Sequence, residues 1–172
     1  MKKLSFILAI LFVVQLAATE TWAQTTAPTK SAKLVSAKKF DAQATRALEA
    51  MKKRAGELNI GGVAVVCYAP GETIQGWYSR MAVVGRMRDE ATATAKGNNL
   101  LGIAYAKAAE MADTLKDSGT SSRAPMTGEF GWQGGVVAKS RSGYIIVAFS
   151  GGKSEDDAQV SRAGLAVLQP VL

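Results

Sequence analysis
The sequence predicts a mixed α/β domain of the α+β kind, in which helices cover an antiparallel sheet. Three observations predict it. Apolar residues recur at helical spacing from Phe40 to Leu58, again from Leu101 to Leu115, and again from Val160 to Leu168. Between these stretches lie paired β-branched runs, Val63–Tyr68 with Thr73–Tyr78 and Val136–Ala138 with Tyr144–Phe149. The order is therefore helix, hairpin, helix, hairpin, helix, and hairpins make the sheet antiparallel with its apolar faces left for the helices. A chain of 172 residues with 48% hydrophobic content suits one unit with its own core.

The first residues read as an address. Met1-Lys2-Lys3 is a short positive segment, and Leu4 to Leu16 is mostly apolar but too short to span a bilayer. Thr21-Trp22-Ala23 then places small side chains before a cut expected after Ala23, which makes residues 1–23 a cleaved signal peptide and the mature chain periplasmic or secreted. No later segment is long and apolar enough to be a transmembrane span. Residues 24–37 are polar and aperiodic at their start and read as a flexible basic leader, with the domain proper over 38–172.

The first helix carries Phe40, Ala44, Ala47, Leu48, Met51, Ala55 and Leu58 on one side and stops at Asn59 and Gly61-Gly62. Val63–Tyr68 is an unbroken apolar run, as expected of a strand covered on both faces. Pro70-Gly71 marks a turn into a second strand, Thr73–Tyr78. Residues 79–97 hold no sustained period and read as an extended edge followed by a loop. Asn98 or Asn99 can cap the central helix, whose apolar side is Leu101, Ala104, Tyr105, Ala108, Met111, Ala112 and Leu115 and whose end is expected near Gly119. A long loop over 118–131 precedes the second hairpin, which turns through Ser140-Arg141-Ser142-Gly143. Ser154-Glu155-Asp156-Asp157 then reads as a capping box with carboxylates at the positive end of the last helix.

Composition excludes much chemistry. No histidine is present, which removes Ser-His-Asp and Cys-His catalysis and His-ligated zinc or haem. The single cysteine, Cys67, allows no intramolecular disulfide and no cysteine-cluster metal site, and reads as a core thiol. Adjacent carboxylates occur only in the cap at Glu155–Asp157, so no catalytic set is assigned and enzymatic activity has little support. The net charge of +7 is concentrated: residues 30–54 contain Lys30, Lys33, Lys38, Lys39, Arg46, Lys52, Lys53 and Arg54 against Asp41 and Glu49. Such a stretch is either a solvated helix face or a site for polyanions or anionic membrane surfaces. Nucleic acid is not expected as a partner, because no aromatic side chains interleave with these charges.

The segment 134–164, GGVVAKSRSGYIIVAFSGGKSEDDAQVSRAG, resembles the GlcG/HbpS-like family, which includes the C-terminal domain of PduO-type proteins. The matching positions are Gly134-Gly135, Gly143, Ser150-Gly151-Gly152, Asp157 and Ala163-Gly164. Upstream, Gly62–Val66 with Arg80-Met81 resembles the family's first hairpin, and Ala104–Ala112 its central helix. The resemblance implies a profilin-like three-layer α/β/α fold on a five-stranded antiparallel sheet.

It also implies haem or a related small molecule as ligand, in a protein expected to form a homo-oligomer. Without histidine, an axial ligand would have to be a tyrosine, methionine or cysteine, with Tyr68, Cys67, Met81, Met87 and Met126 as candidates, or none. Arg80, Arg86, Arg88 and Arg123 are then the candidates for propionate contacts, and each could equally be solvated. Met87 and Met126 could line a pocket, and Phe130 and Trp132 could form its wall or a contact between subunits. Ser150, Gly151 and Gly152 present amides ahead of a helix start, where an anion could sit, although Asp157 could serve as that anion. Two functions follow from this reading: an exported non-catalytic protein that binds haem without a histidine ligand, or an oligomeric interaction module with no small-molecule ligand.

Overall fold
The computed structural model describes residues 30–120 and 123–172. The expected signal peptide over 1–23, and residues 24–29 of the expected leader, lie outside the described residues. The chain forms α1 (Lys30–Glu57), β1 (Gly62–Pro70), β2 (Tyr78–Val84), β3 (Arg88–Asp89), β4 (Asn98–Asn99), α2 (Leu100–Thr114), β5 (Gly135–Lys139), β6 (Gly143–Ser150) and α3 (Ser154–Leu168).

The main sheet is antiparallel with strand order β2-β1-β6-β5. Its centre is β1, which is buried from Gly62 to Ala69, as its continuous apolar run anticipates. Alternation sends its side chains to two cores. Ala64, Val66 and Tyr68 face α1 and α3, where Phe40, Met51, Val147, Phe149, Val160 and Leu168 close over them. Val63, Val65 and Cys67 face α2 and meet Leu100, Ala104, Ala108, Met111 and Ile146. Each fully buried Val or Phe contributes about 1.5–3 kcal/mol. On the first side Phe40 stacks on Tyr68 with ring centroids 6.1 Å apart.

Several expectations are corrected. The main sheet has four strands among the described residues, not five, and β3 and β4 make a separate two-stranded ribbon. The segment after β2 is spent on charged residues that pair locally, Arg86 with Asp89 and Arg88 with Glu90, so it offers no apolar row to extend the sheet. The second strand is Tyr78–Val84, not Thr73–Tyr78. The register Tyr68↔Tyr78 leaves Ala69 and Pro70 paired with β6 alone, and the next residues arc over the α2 side, where Ile74 and Trp77 pack against the core. Aromatic and β-branched residues thus serve a packed loop. Helix α1 starts at Lys30, ahead of the periodic stretch, because Lys, Ala, Ser and Leu all tolerate a helix.

Asn99 caps α2 as anticipated, its side chain accepting the Gly102 N–H at 3.0 Å. The buried side of α2, however, is Leu100, Ile103, Ala104, Lys107, Ala108, Glu110 and Met111, so the helix is rotated from the purely apolar reading. It ends at Thr114 instead of near Gly119, and Leu115 is exposed in a left-handed turn with φ 52°. In α3 the expected Ser154 cap is absent: Lys153 occupies that position without a side-chain bond, and Asp157 serves a different contact described below.

Cys67 sits inside the α2-side core. Burial pushes its thiol up to about 11, and its S–H donates to Ser79 Oγ at 3.6 Å. Replacing Leu115 by glycine should raise stability by about 1 kcal/mol, because the side chain is exposed and its left-handed backbone is costly for any residue with a Cβ. A urea melt of Leu115→Gly against the parent measures this, and an unchanged or lower midpoint would refute it.

Candidate functional site
The motif residues Ser150, Gly151, Gly152 and Asp157 do come together, at the corner where β6 passes into α3. Gly151 adopts φ 150°, and a Cβ there would overlap the Gly61 carbonyl oxygen. Only glycine lets this turn run so close to the start of β1. Arg86 holds the outside of the corner. It donates from Nη1 to Gly61 O at 2.8 Å, from Nη2 to Gly151 O at 2.6 Å and from Nε to Asp89 Oδ1 at 2.7 Å.

Inside the corner, Asp157 Oδ1 accepts the Gly152 N–H at 2.8 Å and Oδ2 accepts from Lys107 Nζ at 2.8 Å. Lys107 also donates to the Phe149 carbonyl at 2.8 Å. The two side chains are only 3% and 4% exposed, which makes this the one deeply buried ion pair among the described residues. Burial pushes the Lys107 ammonium below its ordinary value and the Asp157 carboxyl above its own, and their mutual attraction opposes both shifts. Gly134 makes room for the pair: at φ 127°, a Cβ would collide with Lys107 Nζ and Asp157 Cβ. The Gly134 carbonyl in turn accepts from Ser161 Oγ at 2.6 Å and from the Phe149 N–H at 3.1 Å.

The corner is therefore filled by its own residues. The amides that could have met an anion are turned to Asp157, the capping anion that the sequence itself supplies. Lys107 was not among the sequence candidates. Its signal was present: the buried positions of α2 run Leu100, Ile103, Ala104, Lys107, Ala108, Glu110, Met111, so the only cation on that side needs an anion within reach. Glu110 on the same helix is taken by the Gly119 N–H at 2.8 Å.

The other candidates lie elsewhere, and Tyr68, Arg80, Met81 and Arg123 do not converge. Tyr68 is buried in the α1 and α3 core, and its hydroxyl donates to Ser142 Oγ at 2.7 Å. Arg80 pairs in register with Val66 and bonds Asp41 at 3.4 Å on the α1 side. Met81 pairs with Val65, so it faces the opposite way, against the α2 core. Arg123 lies on the connection between α2 and β5, held by Glu129 at 2.7 and 2.8 Å and by Asp113 at 2.6 Å. Arg88 is paired with Glu90. All four arginines considered for propionates thus have carboxylate partners within the chain.

Two of the open clefts bear on the candidates. One of about 170 Å³ is lined by Glu110, Gly119, Arg123, Pro125, Glu129 and Gly131. The other, about 370 Å³, is lined by Met87, Arg88, Asp89, Gly97, Asn98 and Asn99. Pockets for molecules of drug size are about 300–1,000 Å³ and mostly apolar. The first is smaller than that and the second falls within the range; Met87 and Arg88 line the second, and neither contains Tyr68, Met81 or Cys67. Among the described residues, the large exposed apolar side chains are Val83, Met87, Leu115, Met126, Phe130 and Trp132. Four of these six fall on the connection 115–132, where the Phe130 and Trp132 rings lie 4.9 Å apart.

No family model matches the chain, and no curated protein matches it, so the functional reading rests on its own residues.

Removing one member of the buried pair, by Lys107→Met or Asp157→Asn, should cost about 3–5 kcal/mol in chemical denaturation. The double variant should cost less than the sum, and strict additivity would show that the pair is not coupled. A second outcome concerns Glu129, whose carboxyl is lowered from 4.5 to about 2 by the Arg123 guanidinium and the Met126 N–H. Since its folded value is depressed, its contribution to the loop is complete above 4.5 and is lost as the pH falls through about 2. A carboxyl NMR titration of Glu129 should find that low midpoint, and an ordinary value would mean that the Arg123 clasp is open in solution.

Proposed function
We propose that this chain is an exported, non-catalytic module of the GlcG/HbpS-like type, profilin-like in its layering, that works as a homo-oligomer through its surface. The observation that carries the reading is the contrast between the motif corner and the connection 115–132. The corner is closed on itself by Lys107, Asp157 and Arg86, whereas Phe130, Trp132, Met126 and Leu115 stand exposed on one stretch. Paired exposed aromatics are what a subunit contact needs, because they bury much area with little loss of side-chain freedom. The helices on both faces of an antiparallel sheet support the profilin-like part of the reading, and the N-terminal charge and apolar run support export.

Haem remains what the resemblance implies, and the test includes it. Light scattering on the mature chain should give a mass well above that of one copy. Phe130→Ser with Trp132→Ser should return it to a monomer of unchanged circular dichroism. A parent protein that is strictly monomeric at tens of micromolar would refute the oligomer. Hemin titrated into the parent should give the same spectrum as hemin with an inert protein. A saturable shifted Soret band, weakened by Met81→Ala, would establish the tetrapyrrole reading in its place.

A further inference from the structure
Helix α1 is unusual in how its charges are spent. From Lys38 to its end it carries Lys38, Lys39, Arg46, Lys52, Lys53 and Arg54 against Asp41, Glu49 and Glu57. Every one of those acids is engaged: Asp41 with Arg80, Glu49 with Lys52 and Glu57 with Arg54. Lys38, Lys39, Arg46 and Lys53 are exposed and have no ion pair among the described residues.

Their placement follows from the helical repeat. Lys39, Arg46 and Lys53 are seven residues apart, so each successive charge drifts by only about 20° around the axis. The buried residues Phe40, Ala44, Ala47, Met51 and Ala55 centre on the other side. The three cations therefore form a ridge along the outermost line of the helix, about 10 Å from one to the next. α1 lies on the other face of the sheet from α2, whose end carries the aromatic connection, so the two surfaces are independent.

We propose that this ridge is a docking surface for an anionic phospholipid bilayer. A straight, convex line of cations can meet a plane of headgroups along its whole length at once. No aromatic side chain stands on the ridge to stack a nucleobase, and the exposed positions between its cations include Ala42 and Glu49, the latter already neutralised by Lys52. No apolar side chain larger than the Ala42 methyl points outward there, so binding is by charge at the surface, without insertion, and is screened by salt. The proposal rests on the exported reading only in placing the chain beside a bilayer. The apolar run Leu4–Leu16 ahead of α1 is the sequence feature that would bring it there.

The test uses the mature chain and vesicles of phosphatidylglycerol with phosphatidylcholine in equal parts. The protein should sediment with these vesicles at low salt, remain in solution with pure phosphatidylcholine, and be released at half-molar salt. Each basic residue near an anionic surface accounts for about fivefold in affinity. The triple variant Lys39→Gln, Arg46→Gln, Lys53→Gln should therefore bind about a hundredfold more weakly, while keeping the thermal melt and the mass of the parent. A control triple, Lys96→Gln, Lys116→Gln, Arg141→Gln, removes the same charge elsewhere and should lose less than about tenfold. Equal loss in the two triples would show that net charge, not the ridge, is responsible. Binding of single-stranded DNA more tightly than the vesicles would identify the surface as a polyanion site and overturn the proposal. Loss of vesicle binding with an intact oligomer, or the reverse, separates this inference from the function proposed above.

Discussion

The contact on which the rest depends is the ion pair between Lys107 and Asp157. The sheet separates two helical layers that otherwise barely touch, and each layer has its own apolar core. Lys107 comes from the α2 layer and Asp157 from the α3 layer, and they meet beside Gly134, just ahead of β5. The Phe149 carbonyl at the end of β6, the Gly152 amide and the bare backbone of Gly134 are all arranged around them. Dispersion and the hydrophobic effect hold each core but are tolerant of sliding. A buried charge is not tolerant, because an ammonium left without its anion has lost its hydration and gained nothing. The pair therefore fixes how one layer registers on the other.

This explains why glycine and a small set of polar groups crowd one end of the molecule. Gly151 allows the close passage of β1, Gly134 allows the pair to exist, and Arg86 ties the carbonyls of both crossing turns from outside. A motif that reads as an anion site from sequence becomes a joint once its own carboxylate and a distant lysine are placed in it. The exposed features that remain are charge on α1 and aromatic surface on the connection before β5, at opposite layers of the fold.

Periodicity made β1, β5, β6 and the helices legible, because their burial follows the two-residue and 3.6-residue repeats closely. Val63–Tyr68 is covered on both faces, as a continuous apolar run must be. What misled was composition without context. Thr73–Trp77 has the residues of a strand, yet the register with β1 begins only at Tyr78, and Ile74 and Trp77 pack on the α2-side core instead. The five-stranded sheet implied by the resemblance has no counterpart after β2, where Arg86, Arg88, Asp89 and Glu90 pair with one another instead of extending the sheet. The central helix was read half a face off because Lys107 and Glu110 look like surface residues until their partners, far along the chain, are known. Of the site candidates, the Ser150–Asp157 group was legible as a local motif. Tyr68, Arg80 and Met81 were not, since which core a strand residue meets depends on what packs on its face, and Arg123 was not, since its partners Asp113 and Glu129 are brought to it by the loop.

Cys67 gives the fold a clock of its own. Its thiol is unreactive because α2 lies over it and the thiolate is suppressed by burial. Any moment at which α2 lifts from β1 returns that sulfur to water and to ordinary reactivity. The rate at which a thiol reagent modifies this single position thus counts the openings of one layer, while the other layer stays silent. A chain without a second cysteine cannot confuse the record with an internal disulfide.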